Sequence, residues 1–278
     1  MAEKNMSWKR QIAEHKAIAE ESKAAKFAAW GSYWDFAHAV RRGHRFVWPP
    51  KVQEFLDAVA RTAKKREFPI QEGESFYRAQ IGWEHDIEEL EDGTLVGPSA
   101  FGPERMKPVA RLIPEGRANA AGIPVLYLAK EKETAIAEVR PWIGSRVSVS
   151  QFRTTRELRG LDLTQEFGKT RIPPFSAKEG KFLPVSDEEK ETAAWTHIDN
   201  AFSQPVDRTD DPTEYVPTQI LAELFRDNGY EAIVYRSLLG KKGFNVVIFD
   251  IVDADPVDGL PCEVKKIDVA FEAAGYAW

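Results

Sequence analysis

The chain has 278 residues, 43% of them hydrophobic and 29% charged, with a formal net charge of −6. That length suits one large domain or two modest ones with a packed core. The negative balance argues against a global attraction to nucleic acid or anionic membrane, and the single cysteine, Cys262, excludes a disulfide framework within the chain.

The opening stretch MAEKNMSWKRQIAEHK is charged and no apolar run follows it. Neither a signal peptide nor a transmembrane span is expected, and the reading is a cytoplasmic protein. Residues 7 to 64 carry apolar and alanine positions at helical spacing, in IAEHKAIAEESKAAKFAAW, SYWDFAHAV and VQEFLDAVARTA, with Pro49 and Pro50 as an interruption. From about residue 75 strands alternate with helices. SFYRAQ reads as a short strand, and residues 80 to 116 as a long irregular loop rich in Gly, Pro and Glu. PVLYLA predicts a buried strand and EKETAIAEVR a helix ended by Pro141. RVSVSQF and LRGLDL are further strands. SDEEKETAAWTHIDNAF predicts a helix opened by Ser186, with acidic residues where the macrodipole favours them. PTQILAELFRDNG predicts another, with Pro217 in its first turn and Gly229 as its stop. EAIVYRS and FNVVIFD are strands, and the tail EVKKIDVAFEAA is a candidate for one more. The expectation is α+β: an N-terminal helical domain over residues 1–70, then a mixed-sheet domain over 71–278.

Several chemistries lack their signatures. No G-x-G-x-x-G follows a strand, and GKT at 168–170 has Leu163 where a P-loop needs its first glycine. The histidines are scattered without metal-ligand spacing, so no metal is expected. DRTDDPTE at 207–214 reads as an acidic surface loop. Arg41, Arg42, His44 and Arg45 read as a solvated helix end, and Trp34, Phe36 and Phe46 as core. The R-x4-H spacing of Arg10 and His15 occurs in some helical ribonucleases and at this length is a chance match.

The candidate site residues come from five stretches. Arg78, inside the aromatic strand FYRAQ, is costly to bury without a partner. Its two readings are a structural ion pair and a fork aimed at phosphate oxygens. In GRANAAG the small residues allow backbone close to a ligand and Arg117 adds a second cation. Asn119 either caps a local turn or contacts the guest. Tyr127, mid-strand in VLYLA, is a core aromatic or a platform for a flat heterocycle. Glu138 lies beside its helix's apolar stripe, as a solvated glutamate or a carboxylate at a pocket wall. Ser237, at a strand end, forms a turn or binds a ribose or phosphate oxygen. Two cations, an aromatic, a carboxylate and a hydroxyl suit a dinucleotide with a pyrophosphate and a flat ring.

The series FYRAQ, GRANAAG, PVLYLA, ETAIAEVR, LRGLDLT and Y-PTQILAELFRDNGYEAIVYRS…FNVVIF resembles the RES domain family over roughly residues 72 to 250. That family is named for an arginine, a glutamate and a serine, here Arg78, Glu138 and Ser237. The resemblance implies an ADP-ribosyltransferase-like fold and consumption of NAD+ as a substrate, with no cofactor, by hydrolysis, phosphorolysis or transfer of ADP-ribose. It implies a toxin with an antitoxin partner, and Arg117 and Tyr127 as pocket residues. The helical extension SYWDFAHAVRRGHRF is a feature of longer members; it leaves room for self-association into a homo-oligomer. Glu138 is then expected to act as the catalytic carboxylate, with Arg78 and Arg117 on the pyrophosphate. The alternatives are an ADP-ribosyltransferase acting on a macromolecule and a silent nucleotide-binding module.

Overall fold

The computed structural model describes residues 26–84, 88–89, 95–109, 113–176, 178–204, 212–239 and 243–268. The helical reading of residues 7–25 with Arg10 and His15, most of the acidic loop at 207–214 and the end of the C-terminal tail lie outside them. Helix α1 (Ser32–Arg42) buries Tyr33, Phe36, Ala37 and Val40, the i, i+3, i+4, i+7 stripe of an amphipathic helix. Trp34 and Phe46, expected in the core, are exposed: Trp34 lies off that stripe, and Phe46 falls in the connection after the helix. Helix α2 (Pro50–Ala63) begins at a proline. Pro50 therefore opens a helix, at a position whose N–H would have no helical partner anyway. Phe36 of α1 stacks on Phe55 of α2 with ring centroids 4.6 Å apart.

The strands follow: β1 (Glu67–Ile70), β2 (Ser75–Ile81) and β3 (Leu126–Ala129), then helix α3 (Lys132–Glu138), then β4 (Arg146–Thr154) and β5 (Leu158–Leu163). Helices α4 (Asp187–Ser203) and α5 (Val216–Asp227) precede β6 (Ala232–Arg236), β7 (Phe244–Ile248) and β8 (Ala254–Glu263). Ser186 caps α4, as the sequence predicts, and the structure adds a full capping box with Glu189. The segment read as irregular, 80 to 116, holds one turn of helix at Pro103–Met106 and a small ribbon pairing Glu88–Glu89 with Leu95–Val96. A second ribbon pairs Phe175–Ser176 with Lys181–Phe182. Two strands escape the sequence patterns. β1 contains Pro69 and is an edge strand, where a missing N–H is tolerated. β8 carries Pro256 and Pro261 and is the opposite edge, with a register shift between Pro256 and Asp258.

The eight strands form one mixed sheet in the order β1-β5-β6-β7-β3-β2-β4-β8. Only β5 and β6 run parallel; every other neighbouring pair is antiparallel. Side chains alternate between the two faces. One face presents Leu161, Ile233 and Val247 to a cluster that continues through Trp195, Ile198, Leu221 and Phe225 of α4 and α5 to Phe36, Phe55 and Val59 of α1 and α2. The N-terminal helices and the sheet therefore share one core. The other face gathers Phe76, Leu126, Leu128, Phe152, Val246 and Ile248 with Phe101 and Met106. A small third cluster, Ala79, Ala129, Ala135, Val147 and Val149, lies under α3.

A buried ion pair locks the two helical layers to the sheet. Both Asp199 carboxylate oxygens accept from Arg66 Nη1, at 2.9 and 3.0 Å. Asp199 Oδ2 also accepts from the Glu166 amide, and Arg66 reaches the Asp162 carbonyl. The Arg66 guanidinium lies 4.3 Å from the Trp195 ring centroid. Burial pushes the Asp199 carboxyl up to about 6 against the opposing pull of Arg66, which leaves it mostly ionised at neutral pH.

Candidate active site

The sheet opens between β2 and β3. A single register pair, Tyr77 with Ala129, joins them, although β2 runs on to Ile81 and β3 starts at Leu126. The backbone groups freed by this divergence border a cavity of 270 Å³. Tyr77, Arg78 and Ala79 line one side and Tyr127, Leu128 and Ala129 the other, with Glu138 from α3, Tyr235 from β6 and Asn245 from β7.

Helix α3 brings Glu138 there. Its Thr134 and Ala135 are buried. A Cβ on Gly243 would sit 2.0 Å from Thr134 Oγ1, so only glycine lets the β6–β7 connection come this close. The helix stops at Glu138, before Pro141, because Arg140 turns the chain at φ 48 and a residue preceding proline is disfavoured in the helical region. Glu138 is thus a carboxylate at a helix C-terminus, where the macrodipole repels negative charge. Two donors offset this. Ser237 Oγ donates to Glu138 Oε1 at 2.7 Å and Asn245 Nδ2 donates to the same oxygen at 2.6 Å. The residue itself is exposed at the cavity mouth.

Ser237 is buried and makes two hydrogen bonds through its hydroxyl. Its Oγ accepts from the Leu239 amide while donating to Glu138. Arg78 lines the cavity and donates from Nη1 to the Met106 carbonyl. Among the described residues no carboxylate pairs with it, and burial pushes its guanidinium down to about 10, still fully protonated at neutral pH. Tyr127 donates to Asn119 Oδ1 at 2.8 Å and accepts from the Ala118 amide at 3.0 Å, so its ring is fixed where it meets the cavity. Burial pushes the Tyr127 and Tyr235 phenols up, keeping both neutral.

Arg117 and Asn119 are not among the residues lining the cavity; they stand behind Tyr127. Arg117 Nη1 donates to the carbonyls of Ala201 and Phe202 at 3.3 and 3.0 Å, the last turn of α4, where a cation complements the helix dipole. Asn119 is buried and donates to the carbonyls of Pro114 and Ala120. Gly116 closes this support: a Cβ there would sit 2.5 Å from the Tyr127 hydroxyl. Gly116→Ala is expected to displace that ring and destabilise the fold by about 1–3 kcal/mol; a thermal melt showing wild-type stability would contradict the contact.

The cavity thus brings together Arg78, Tyr127 and Glu138, with Ser237 behind the glutamate. Tyr77, Tyr235 and Asn245 join them without having been singled out in the sequence. Asn245 had a readable signal: it is the one polar residue in the strand FNVVI, and a buried amide needs partners. Tyr77 and Tyr235 had none, since aromatic residues are ordinary in strands. Among the described residues no group of acidic, histidine or cysteine side chains could hold a metal ion, and no helix is long and apolar enough to cross a membrane.

Comparison with the curated proteins finds no match. Among solved structures, the crystal structure of the M. tuberculosis MbcT–MbcA toxin–antitoxin complex is similar at 14% identity, with a TM-score of 0.38, over 74% of this chain and 92% of that one. A family model described as RES domain matches residues 97–271. Arg117, Glu138 and Ser237 lie inside that span and Arg78 upstream of it. Because the match takes in more than half of the chain, this protein belongs to the RES domain family.

Proposed function

We propose that the protein cleaves the nicotinamide–ribose bond of NAD+, by hydrolysis or phosphorolysis. The observation that carries this reading is the Glu138 carboxylate at the cavity mouth, with Oε1 held by two donors and Oε2 bonded to no protein group among the described residues. The bond already has a cationic leaving group. As it opens, its electron pair passes to the nicotinamide nitrogen and positive charge develops on the ribose. A fixed carboxylate there stabilises that charge. Water or phosphate then adds to the sugar carbon; in hydrolysis the added water loses its proton to solvent.

The cavity, at 270 Å³, is small for a whole dinucleotide. It suits the nicotinamide and its ribose, with Tyr77 and Tyr127 in its lining, leaving the remainder at the mouth. Among the described residues Arg78 has a carbonyl and no carboxylate as its partner, and a phosphate oxygen would complete its hydrogen bonding. Arg117 supports the site through Tyr127. On this reading the protein is a toxin that depletes NAD+ in the cytoplasm, neutralised by an antitoxin protein; family membership supports this.

Incubating the purified protein with NAD+, with and without phosphate, and separating the products tests the reading. Free nicotinamide is expected, with ADP-ribose or its phosphorylated form. Intact NAD+ would overturn it. Arg78→Ala is expected to raise the Michaelis constant for NAD+ by roughly 10-fold or more, the worth of one charge-assisted hydrogen bond. An unmoved Michaelis constant would remove Arg78 from substrate binding.

A further inference from the structure

We infer that Asn245 is a positioning residue for Glu138, and that it, with Ser237, decides which carboxylate oxygen faces the guest. The inference rests on the proposed reaction and adds a residue to it. Asn245 is 6% exposed in the middle of the sheet, on a strand whose other residues are Phe, Val, Val and Ile. An amide is a poor choice there for packing, and valine would fit the strand better. Its Nδ2 faces a carboxylate oxygen at 2.6 Å, and this fixes the orientation of the amide, because a carboxylate accepts only from the nitrogen. Its Oδ1 is buried and has no hydrogen-bond partner among the described residues. A buried carbonyl without a donor is costly, so packing alone does not account for an amide at this position. Among the described residues the amide nitrogen donates to Glu138, with the Tyr235 phenol as a second polar neighbour.

That bond has a directional consequence. Ser237 and Asn245 approach from the ends of neighbouring strands and donate to the same atom, Oε1. A carboxylate held at one oxygen by two donors cannot rotate without breaking both bonds. Oε2 is therefore presented in one orientation. One donor would leave the carboxylate free to swing; two make it a fixed electrostatic partner, as stabilising a developing charge requires. Ser237 has no further proton to donate, since its single O–H is spent on Glu138, and its oxygen also accepts from the Leu239 amide. Its part in the site is to hold the glutamate.

Two nearly isosteric substitutions separate positioning from packing. Asn245→Val removes the donor and suits the strand; Asn245→Thr is the same shape with a hydroxyl donor restored. With Val, turnover of NAD+ is expected to fall by roughly 10-fold or more, the worth of one hydrogen bond to a charged group, at a nearly unchanged Michaelis constant. Thr is expected to retain more turnover than Val at similar thermal stability. In a Glu138→Gln background, Asn245→Val is expected to cost no further turnover, because a residue acting through Glu138 has nothing left to act on. Equal losses for Val and Thr, or the same loss in both backgrounds, would overturn the inference. Should the wild type leave NAD+ intact, the proposed function fails, and crystal structures of the wild type and Asn245→Val still decide the positioning: a displaced Glu138 carboxylate supports it and an unmoved one refutes it.

Discussion

Glu138→Gln is expected to leave fold and NAD+ binding intact while turnover falls by roughly two or more orders of magnitude. Glutamine matches glutamate in shape and keeps an oxygen that accepts from Ser237 and Asn245, so the local structure has no reason to change. What disappears is the negative charge. In the ground state that charge lies beside a guest whose positive charge is spread over the nicotinamide ring. In the transition state positive charge concentrates on the ribose, and the carboxylate's contribution rises. Removing it should therefore lower turnover far more than affinity. Steady-state kinetics with calorimetric binding of NAD+ separates the two. Near-normal turnover would take Glu138 out of the mechanism. Equal losses in affinity and turnover would make it a binding residue.

The second large effect concerns stability. Asp199→Ala is expected to destabilise the protein by about 3–5 kcal/mol, the usual cost of leaving a buried charge without its partner. Arg66 is 6% exposed and Asp199 wholly buried. Truncation strands the guanidinium, leaves the Glu166 amide without its acceptor and opens a void beside α4. Denaturant unfolding measures the loss. The double variant Arg66→Met, Asp199→Leu should recover much of it, because two apolar groups of similar size have no desolvation penalty to offset. A double variant no more stable than Asp199→Ala would place the cost in packing rather than in the stranded charge.

The two ionic features do different work. Arg66 and Asp199 neutralise each other inside the core and hold the turn after α2, β5 and α4 together. Arg78 has no carboxylate partner among the described residues and lies on a cavity. Sequence alone could not tell these two arginines apart, because each stands near an aromatic or apolar stretch and the difference lies in which carboxylate the fold brings near.

Where a local rule operates, the sequence was sufficient. The helical spacing of α1, the Ser186 cap of α4, the proline and glycine bounding α5, and the extended run of β4 each depend on residues within one or two turns or pleats of one another. The motifs that resemble the RES family were legible for the same reason, being short and contiguous. The edge strands β1 and β8 were hidden because their prolines read as breakers, and only their place at the sheet's edges makes those prolines harmless. Tertiary structure alone decided that β2 and β3 part after one pair, that Asn245 from a distant strand shares Glu138 with Ser237, and that Arg117 turns away to the carbonyls of α4. Each of these depends on contacts between segments far apart in the chain. Local propensity carries no information about which buried donor will meet which acceptor, and that pairing is what makes a carboxylate on a short helix a fixed charge facing a hollow.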